Sequence, residues 1–76
     1  MLKVKIASTT EKIYDGELEQ ITVKTDAGVL TILPSHVPLI TTITEGYVKY
    51  KGKTIDVKKG GLNVSGDNTV QIIISN

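Results

Sequence analysis

The chain has 76 residues, of which 39% are hydrophobic and 22% charged, so its length allows one small domain over residues 1–76. Cysteine is absent, which excludes disulfides and thiolate metal sites as supports for the core. Nine basic residues against eight acidic ones leave a net charge of +1, which argues against binding nucleic acid or a membrane surface by bulk electrostatics.

The composition favours β-structure, and the chain opens on a clear strand. Valine, isoleucine and threonine together supply 28 of the 76 residues, whereas alanine occurs only at Ala7 and Ala27. Leu2, Val4 and Ile6 alternate with lysines, which predicts a first strand with one buried face.

The following segment predicts a turn, a bulge and a hairpin. Asp15–Gly16 is a turn dipeptide, and the hydrophobic residues between positions 18 and 23 change parity, which predicts a bulge near Glu19–Gln20. Residues 25–28 have turn chemistry and lead into a short apolar strand over residues 29–33.

Two prolines, Pro34 and Pro38, predict a loop in the middle of the chain, because neither residue donates a hydrogen bond to a ladder. The strands predicted after it cover residues 39–44, 47–51, 53–58, 62–64 and a final segment with Val70, Ile72 and Ile74 inward. The turns between these strands are predicted at Glu45–Gly46, Gly52, Lys59–Gly61 and residues 65–68.

About nine short strands with no helical period predict an all-β domain, an antiparallel β-sandwich or flattened barrel. The longest apolar run covers residues 72–74, far below the roughly 20 residues of a membrane-spanning helix. We therefore expect no direct membrane insertion.

Catalytic chemistry has few candidate residues, since the chain has one histidine, no cysteine and no arginine. Ser35, His36 and Asp26 could be imagined as a triad, but neighbouring side chains need not converge. The string Gly52–Thr54 mimics the end of a phosphate loop at a hairpin tip, where no helix N-terminus is available. The sequence predicts no catalytic residue, cofactor or metal, and hence no enzyme.

Two surface features suggest binding instead. Lys49, Lys51 and Lys53, together with Tyr47, form a small basic patch, which is the best argument for an oligonucleotide-binding barrel, although we expect no nucleic-acid partner. A lipoyl- or biotinyl-type carrier domain is a second alternative, but the turn at residues 25–28 has no lysine. The apolar residues beside the prolines must be covered, either by capping the open end of the sandwich or by a partner protein.

The loop and its flanks resemble a known family. Residues 28–41, which read GVLTILPSHVPLIT, are similar to the GELGILPGHAPLIT signature of the epsilon subunit of F-type ATP synthases. Residues 10–17, 46–50 and 60–64 also resemble segments of that family, so the resemblance covers essentially the whole chain.

This resemblance implies the family's N-terminal ten-stranded β-sandwich and a non-catalytic place on the central stalk, the rotor. The implied partners are the gamma subunit and the c-ring, in a hetero-oligomeric complex that couples proton-driven rotation to ATP synthesis. The implied location is peripheral to an energy-transducing membrane on the ATP-synthesising side, either the bacterial cytoplasmic face or its organellar equivalent.

Carried over by position, the partner-binding residues fall into two groups. Ser8, Val29 and His36 are expected toward the c-ring, and Val37, Leu39, Thr41 and Thr42 are expected nearer gamma. Ile40 is expected to bind one of these two partners. The chain departs from the pattern by having Val29 where the family often has glutamate, which weakens a charge-based contact there. It also stops at Asn76, before the family's C-terminal helical hairpin, so we expect neither helix-mediated inhibition nor nucleotide binding.

Overall fold

The computed structural model describes residues 1–75. The strands are β1 (Leu2–Ser8), β2 (Lys12–Leu18), β3 (Ile21–Thr25), β4 (Gly28–Ile32), β5 (Leu39–Tyr50), β6 (Lys53–Val64) and β7 (Thr69–Ile74). Within the described range, the chain has no helix with the length and apolarity needed to cross a membrane. The all-β prediction is confirmed.

The strands form one mixed sheet with the order β2-β1-β7-β6-β5-β3-β4. All neighbouring strands are antiparallel except β1 and β7, which run parallel from Lys3↔Thr69 to Ser8↔Ile74. The predicted β-sandwich is confirmed, and its antiparallel pairing holds for every strand pair except this one. Hydrophobic alternation shows which face of a strand is buried. It does not show whether a strand from the other end of the chain pairs with it in parallel or antiparallel.

The long β5–β6 hairpin divides this sheet into two layers. On β6, the pairing with β7 is limited to residues 60–64, near the end of that strand. On β5, the pairing with β3 is limited to residues 47–49. One end of the hairpin therefore extends the layer that contains β1, β2 and β7, which we call layer one. The other end extends the layer that contains β3 and β4, which we call layer two.

This division explains why seven strands are observed where nine were predicted. Segments 39–44 and 47–51 are halves of β5, and segments 53–58 and 62–64 belong to β6, so each of two observed strands was counted twice. The predicted ends at Glu45–Gly46 and Lys59–Gly61 are wrong as turns. They are bends inside continuous strands that keep one pairing register from Leu39↔Val64 to Tyr50↔Lys53.

Backbone geometry at the bend shows why glycines stand there. In β5 the buried positions change from odd to even numbers between Ile43 and Val48, and Glu45 has a φ of 53°. A Cβ on Gly46 would overlap the carbonyl oxygen of Lys24, and one on Gly60 would overlap that of Ile73. At the bend, each arm of the hairpin changes which of its alternating positions face the core, and each arm has a glycine there because a neighbouring backbone lies too close for a side chain.

The folded sheet closes over one hydrophobic core. Sixteen buried residues from all seven strands form a single cluster, and each fully buried aliphatic side chain contributes roughly 1.5–3 kcal/mol. At one end of the sandwich, the rings of Tyr14 in β2 and Tyr50 in β5 lie 5.0 Å apart, and the Lys51 ammonium lies 5.1 Å from the Tyr14 ring centre. These contacts join the edge strand of layer one to the tip of the long hairpin.

Two further local predictions are wrong. Asp15–Gly16 is not a turn, since β2 continues through it and pairs there with Lys5 and Val4 of β1. The parity change near Glu19–Gln20 is not a bulge, because the chain leaves β2 in layer one there and enters β3 in layer two. The hairpins at residues 25–28 and Gly52 and the loop between the prolines are confirmed.

The bend makes a prediction about two glycines. Gly46→Ala should lower the free energy of unfolding by at least about 2 kcal/mol, because the new methyl group overlaps the Lys24 backbone. Gly61→Ala is the matched control, since its Cβ would have no neighbour closer than the Thr41 carbonyl oxygen at 3.9 Å. Urea denaturation of both variants measures the effect, and equal stability of the two would contradict this account of the bend.

Candidate protein interface

One side of the sandwich is built from an uncharged stretch of 18 residues. Residues 27–44 contain no lysine, arginine, aspartate or glutamate. They form β4, the loop over residues 33–38 and the first half of β5. β4 is the outermost strand of layer two, and the first half of β5 is the outermost segment of layer one. We call the surface formed by residues 27–44 the open side.

The open side exposes large apolar side chains. Ile40 is 82% exposed, Val37 69% and Val29 58%, and Leu33 is also exposed. Several large apolar side chains exposed along one uncharged side mark an interaction surface, whereas single scattered residues do not. The open side therefore has the character of a protein interface.

The apolar surface continues from Ile40 onto the outer face of layer one. Thr42 pairs with Gly61, and Gly61 pairs with Ile73 of β7, which is 53% exposed. Ile40, Gly61 and Ile73 line a shallow groove of about 280 Å³. Because Gly61 has no side chain, the floor of this groove is backbone.

Hydrogen bonds hold the loop over residues 33–38 in place. The amide of Ser35, which has a φ of 66°, donates to Oδ1 of Asn68 at 2.7 Å, and the amide of His36 donates to the Leu33 carbonyl at 3.1 Å. The Asn68 carbonyl accepts in turn from the amide of Lys3 at 2.8 Å. The loop is thus fixed against β1 and presents Val37 to solvent on an ordered support.

The structure separates the predicted partner-binding residues into two groups. Ser8 pairs with Ile74, at the end of layer one where the bend lies, and Val29 belongs to the β3–β4 hairpin, whose turn contacts residues 42 and 44 at the same end. His36 and Val37 lie at the opposite end, beside residue 68. His36 is therefore not brought together with Ser8 and Val29.

The remaining predicted residues alternate along β5. Ile40 and Thr42 point outward, whereas Leu39 is partly buried and packs against the core, and Thr41 is half-buried. Substitution of Leu39 would thus disturb the fold as well as any interface. Ile40 is the residue that probes the surface alone.

The structure brings no catalytic group together on this surface. Nδ1 of His36 lies 2.7 Å from the Val37 carbonyl oxygen, while Asp26 lies at the other end of layer one beside Thr42, so the imagined triad is not assembled. Across residues 1–75, no three histidine, cysteine or acidic side chains are grouped so as to hold a metal.

Asp26 ties the β3–β4 turn to the edge of β5. Its amide donates to the Thr42 carbonyl at 2.9 Å, and its carboxylate accepts hydrogen bonds from the hydroxyl of Thr42 and, at 3.0 Å, from that of Thr44. The Thr42 hydrogen bond lowers the pKa of Asp26 most; desolvation opposes it, and Thr44 lowers the pKa further. The ionised carboxylate therefore holds the two layers together at this end.

Sequence reasoning missed several residues of this surface. Ile73 breaks the alternation of Val70, Ile72 and Ile74, so an apolar residue at an outward strand position was an available signal. Gly61 was predicted to lie in a turn, whereas it lies within β6 and lines the groove with Ile40 and Ile73. The link from Asp26 to Thr42 and Thr44 spans 16 and 18 residues, and no local pattern reports such a contact.

An all-β sandwich with an ordered, uncharged and apolar side belongs to the class of small domains that dock onto other proteins. The comparison with known families makes this specific. The chain belongs to the ATP synthase delta/epsilon chain β-sandwich domain family, which matches residues 1–76.

Relatives and solved structures agree with this family. The chain is 40% identical over 57 residues to the ATP synthase epsilon chain of Halalkalibacterium halodurans, an alignment that covers 74% of this chain and 43% of the relative. It is 31% identical over 83 residues to that of Herminiimonas arsenicoxydans, which covers 92% of this chain and 59% of the relative. The chain thus matches about half the length of these relatives.

Two mitochondrial ATP synthase structures contain a similar fold. A chain of the Tetrahymena thermophila central stalk and c-ring structure has a TM-score of 0.78 at 17% identity, covering 99% of this chain and 63% of that one. A chain of the Euglena gracilis OSCP/F1/c-ring structure has a TM-score of 0.78 at 22% identity, covering 96% and 49%. At these identities the likeness shows a shared fold.

The Asp26 contacts predict a pH-dependent stability difference. Asp26→Asn should be less stable than the wild type at pH 7, because a neutral amide accepts the threonine hydrogen bonds more weakly. The lowered pKa means that the carboxylate's contribution is complete above the unfolded-state value of about 4 and is lost as pH falls through the folded-state pKa.

Urea denaturation between pH 2 and 7 measures this difference, with Thr42→Val as the matched change in the partner. In the Thr42→Val background, the Asp26→Asn effect should shrink. A wild type and an Asp26→Asn variant with parallel stability curves over this whole range would contradict the assignment.

Proposed function

We propose that this chain is a non-catalytic part of the central stalk of an F-type ATP synthase, where it docks on the gamma subunit and the c-ring and helps to couple proton-driven rotation to ATP synthesis. The observation that carries the proposal is the uncharged, apolar open side on a domain of the delta/epsilon family. The solved structure from Tetrahymena, in which a similar chain belongs to a central stalk and c-ring assembly, supports it.

The sandwich suits a part that transmits torque. β5 and β6 each run without a break from one layer to the other, so the layers are joined by continuous backbone as well as by core packing. A close-packed interior resists deformation, and sliding one layer over the other would require breaking the shared hairpin. Rigidity is the property that the domain contributes to rotation.

The two ends of the domain fit two partners. We assign the end with Ser8 and Val29 to the c-ring, as the family resemblance implies. We assign the strand residues Leu39, Ile40, Thr41 and Thr42 to gamma, because they line the apolar grooves. Val37 goes with them, and His36, which the resemblance places toward the c-ring, is assigned to gamma instead because its loop lies at the end opposite Ser8 and Val29. Leu39 would act by supporting this surface from the core side.

Docking on the c-ring would hold the chain peripherally at an energy-transducing membrane, on the side where ATP is made. The two alternative functions gain no observation from the structure. The β3–β4 turn carries Asp26 and Ala27 rather than a lysine that could bear a lipoyl or biotinyl group. The basic hairpin keeps Lys51 over the Tyr14 ring, so that ring face is not available for stacking a base.

The proposal predicts the outcome of a capture experiment with purified gamma subunit and c-ring. Ile40→Asp should lower capture at least about tenfold, because a carboxylate at the centre of an apolar interface loses its hydration without gaining a partner. Thr54→Asp is the matched control, since Thr54 is also an exposed strand residue but lies on the outer face of layer two.

Circular dichroism of both variants establishes that the fold is kept. Retained capture of folded Ile40→Asp would remove this surface from the interface. A wild-type chain that binds neither partner would overturn the proposed function.

A further inference from the structure

The sheet ends in two edge strands, β2 and β4, and they differ in charge. β2 carries Lys12, Asp15 and Glu17, and its pairing with β1 contains an irregularity between Ile6 and Ala7. Charges and bulges are the usual means by which proteins keep an edge strand from pairing with another chain. β4 has the sequence GVLTI, without charge, proline or bulge, and its register with β3 is regular.

The first half of β5, which forms the edge of layer one on the side of β4, already has some of its hydrogen-bonding groups occupied by Asp26. The Thr42 carbonyl in the first half of β5 accepts the Asp26 amide, and the Asp26 carboxylate takes the hydroxyls of Thr42 and Thr44. β4 has β3 as its strand partner and forms the end of the sheet. Of the two strands that end the sheet, β4 is therefore the one whose free edge carries no charge, proline or bulge.

We propose that β4 pairs antiparallel with β4 of a second copy of this chain, joining the two copies of layer two into one continuous sheet. With the two-fold axis at Leu30, Val29 of one copy lies opposite Thr31 of the other. Both residues are on the outer face, because they pair with Lys24 and Thr22 of β3. β-branched residues that face each other across strands stabilise such a pair.

Because β4 carries no charge, a second copy of the chain can pair with its free edge without bringing like charges together. A two-fold contact brings the same patch of both chains together, so any charged residue in it would meet its own sign. β4 contains none, and Lys24 is one strand further in on each copy. A pair of five-residue strands buries little area, so the dimer is weak and depends on concentration. This inference goes beyond the rotor function and is tested on the chain alone.

Sedimentation equilibrium of the chain tests the pairing. Between about 10 μM and about 1 mM, a range typical of small interfaces, the wild-type mass should rise from 8.2 kDa toward twice that value. Val29→Lys should raise the dimer dissociation constant at least about tenfold, because the two new lysines occupy diagonal positions across the two-fold axis, with their backbones roughly 7–8 Å apart, and their like charges repel.

Thr54→Lys is the matched control and should dimerise like the wild type. Thr54 lies in the same outer-face row as Thr31, through Thr22 and Lys49, but at the opposite edge of layer two. Neither lysine replaces a buried residue, so both variants should fold, and circular dichroism checks this.

A mixture of Val29→Lys and Val29→Glu chains gives the sharpest test. Each variant alone should stay monomeric, while the equimolar mixture should regain the dimer, since the diagonal pair then carries opposite charges. A wild type that stays monomeric at about 1 mM would overturn the proposal, even if β4 then pairs with a strand of another protein. Dissociation of Thr54→Lys, or no rescue by the mixture, would also overturn it.

Discussion

Gly46 and Gly60 allow the β5–β6 hairpin to bend against neighbouring backbones, and the rest of the domain depends on that bend. A straight hairpin would leave a seven-stranded open sheet with one apolar face in water. The bend instead turns the side chains of both arms over, so that each arm supplies buried residues to both layers. One core then serves a sandwich made from a single sheet.

The same bend also creates the surface that the proposed function needs. Where β5 leaves layer one, its first half becomes an outer segment, and the uncharged chain that precedes it borders the same side. At one end of this side, the Asp26 carboxylate accepts a hydrogen bond from Thr42. At the other end, the Asn68 side chain accepts a hydrogen bond from the loop. A rigid domain with an ordered apolar side is suited to being held between larger partners, as the proposed place on the central stalk requires.

Sequence patterns predicted most of the fold, because alternation reports burial directly. The predicted first strand, the segment at residues 29–33 and all segments from residue 39 onward overlap observed strands, and the hairpin at Gly52 was placed correctly. The patterns could not show that Glu45 stays within a strand, since a non-glycine residue with a φ of 53° has no sequence signature. Of the interface, the apolar loop was apparent, whereas the outward position of Ile40 and the inward one of Leu39 required the observed register.

Hydrogen–deuterium exchange of the chain bound to gamma and the c-ring, compared with the free chain, tests the central claim most directly. The account predicts slower exchange within residues 28–40, which contain β4 and the fixed loop, and unchanged exchange at the Lys51–Gly52 hairpin. Slower exchange at that basic hairpin, with residues 28–40 unchanged, would contradict docking through the open side.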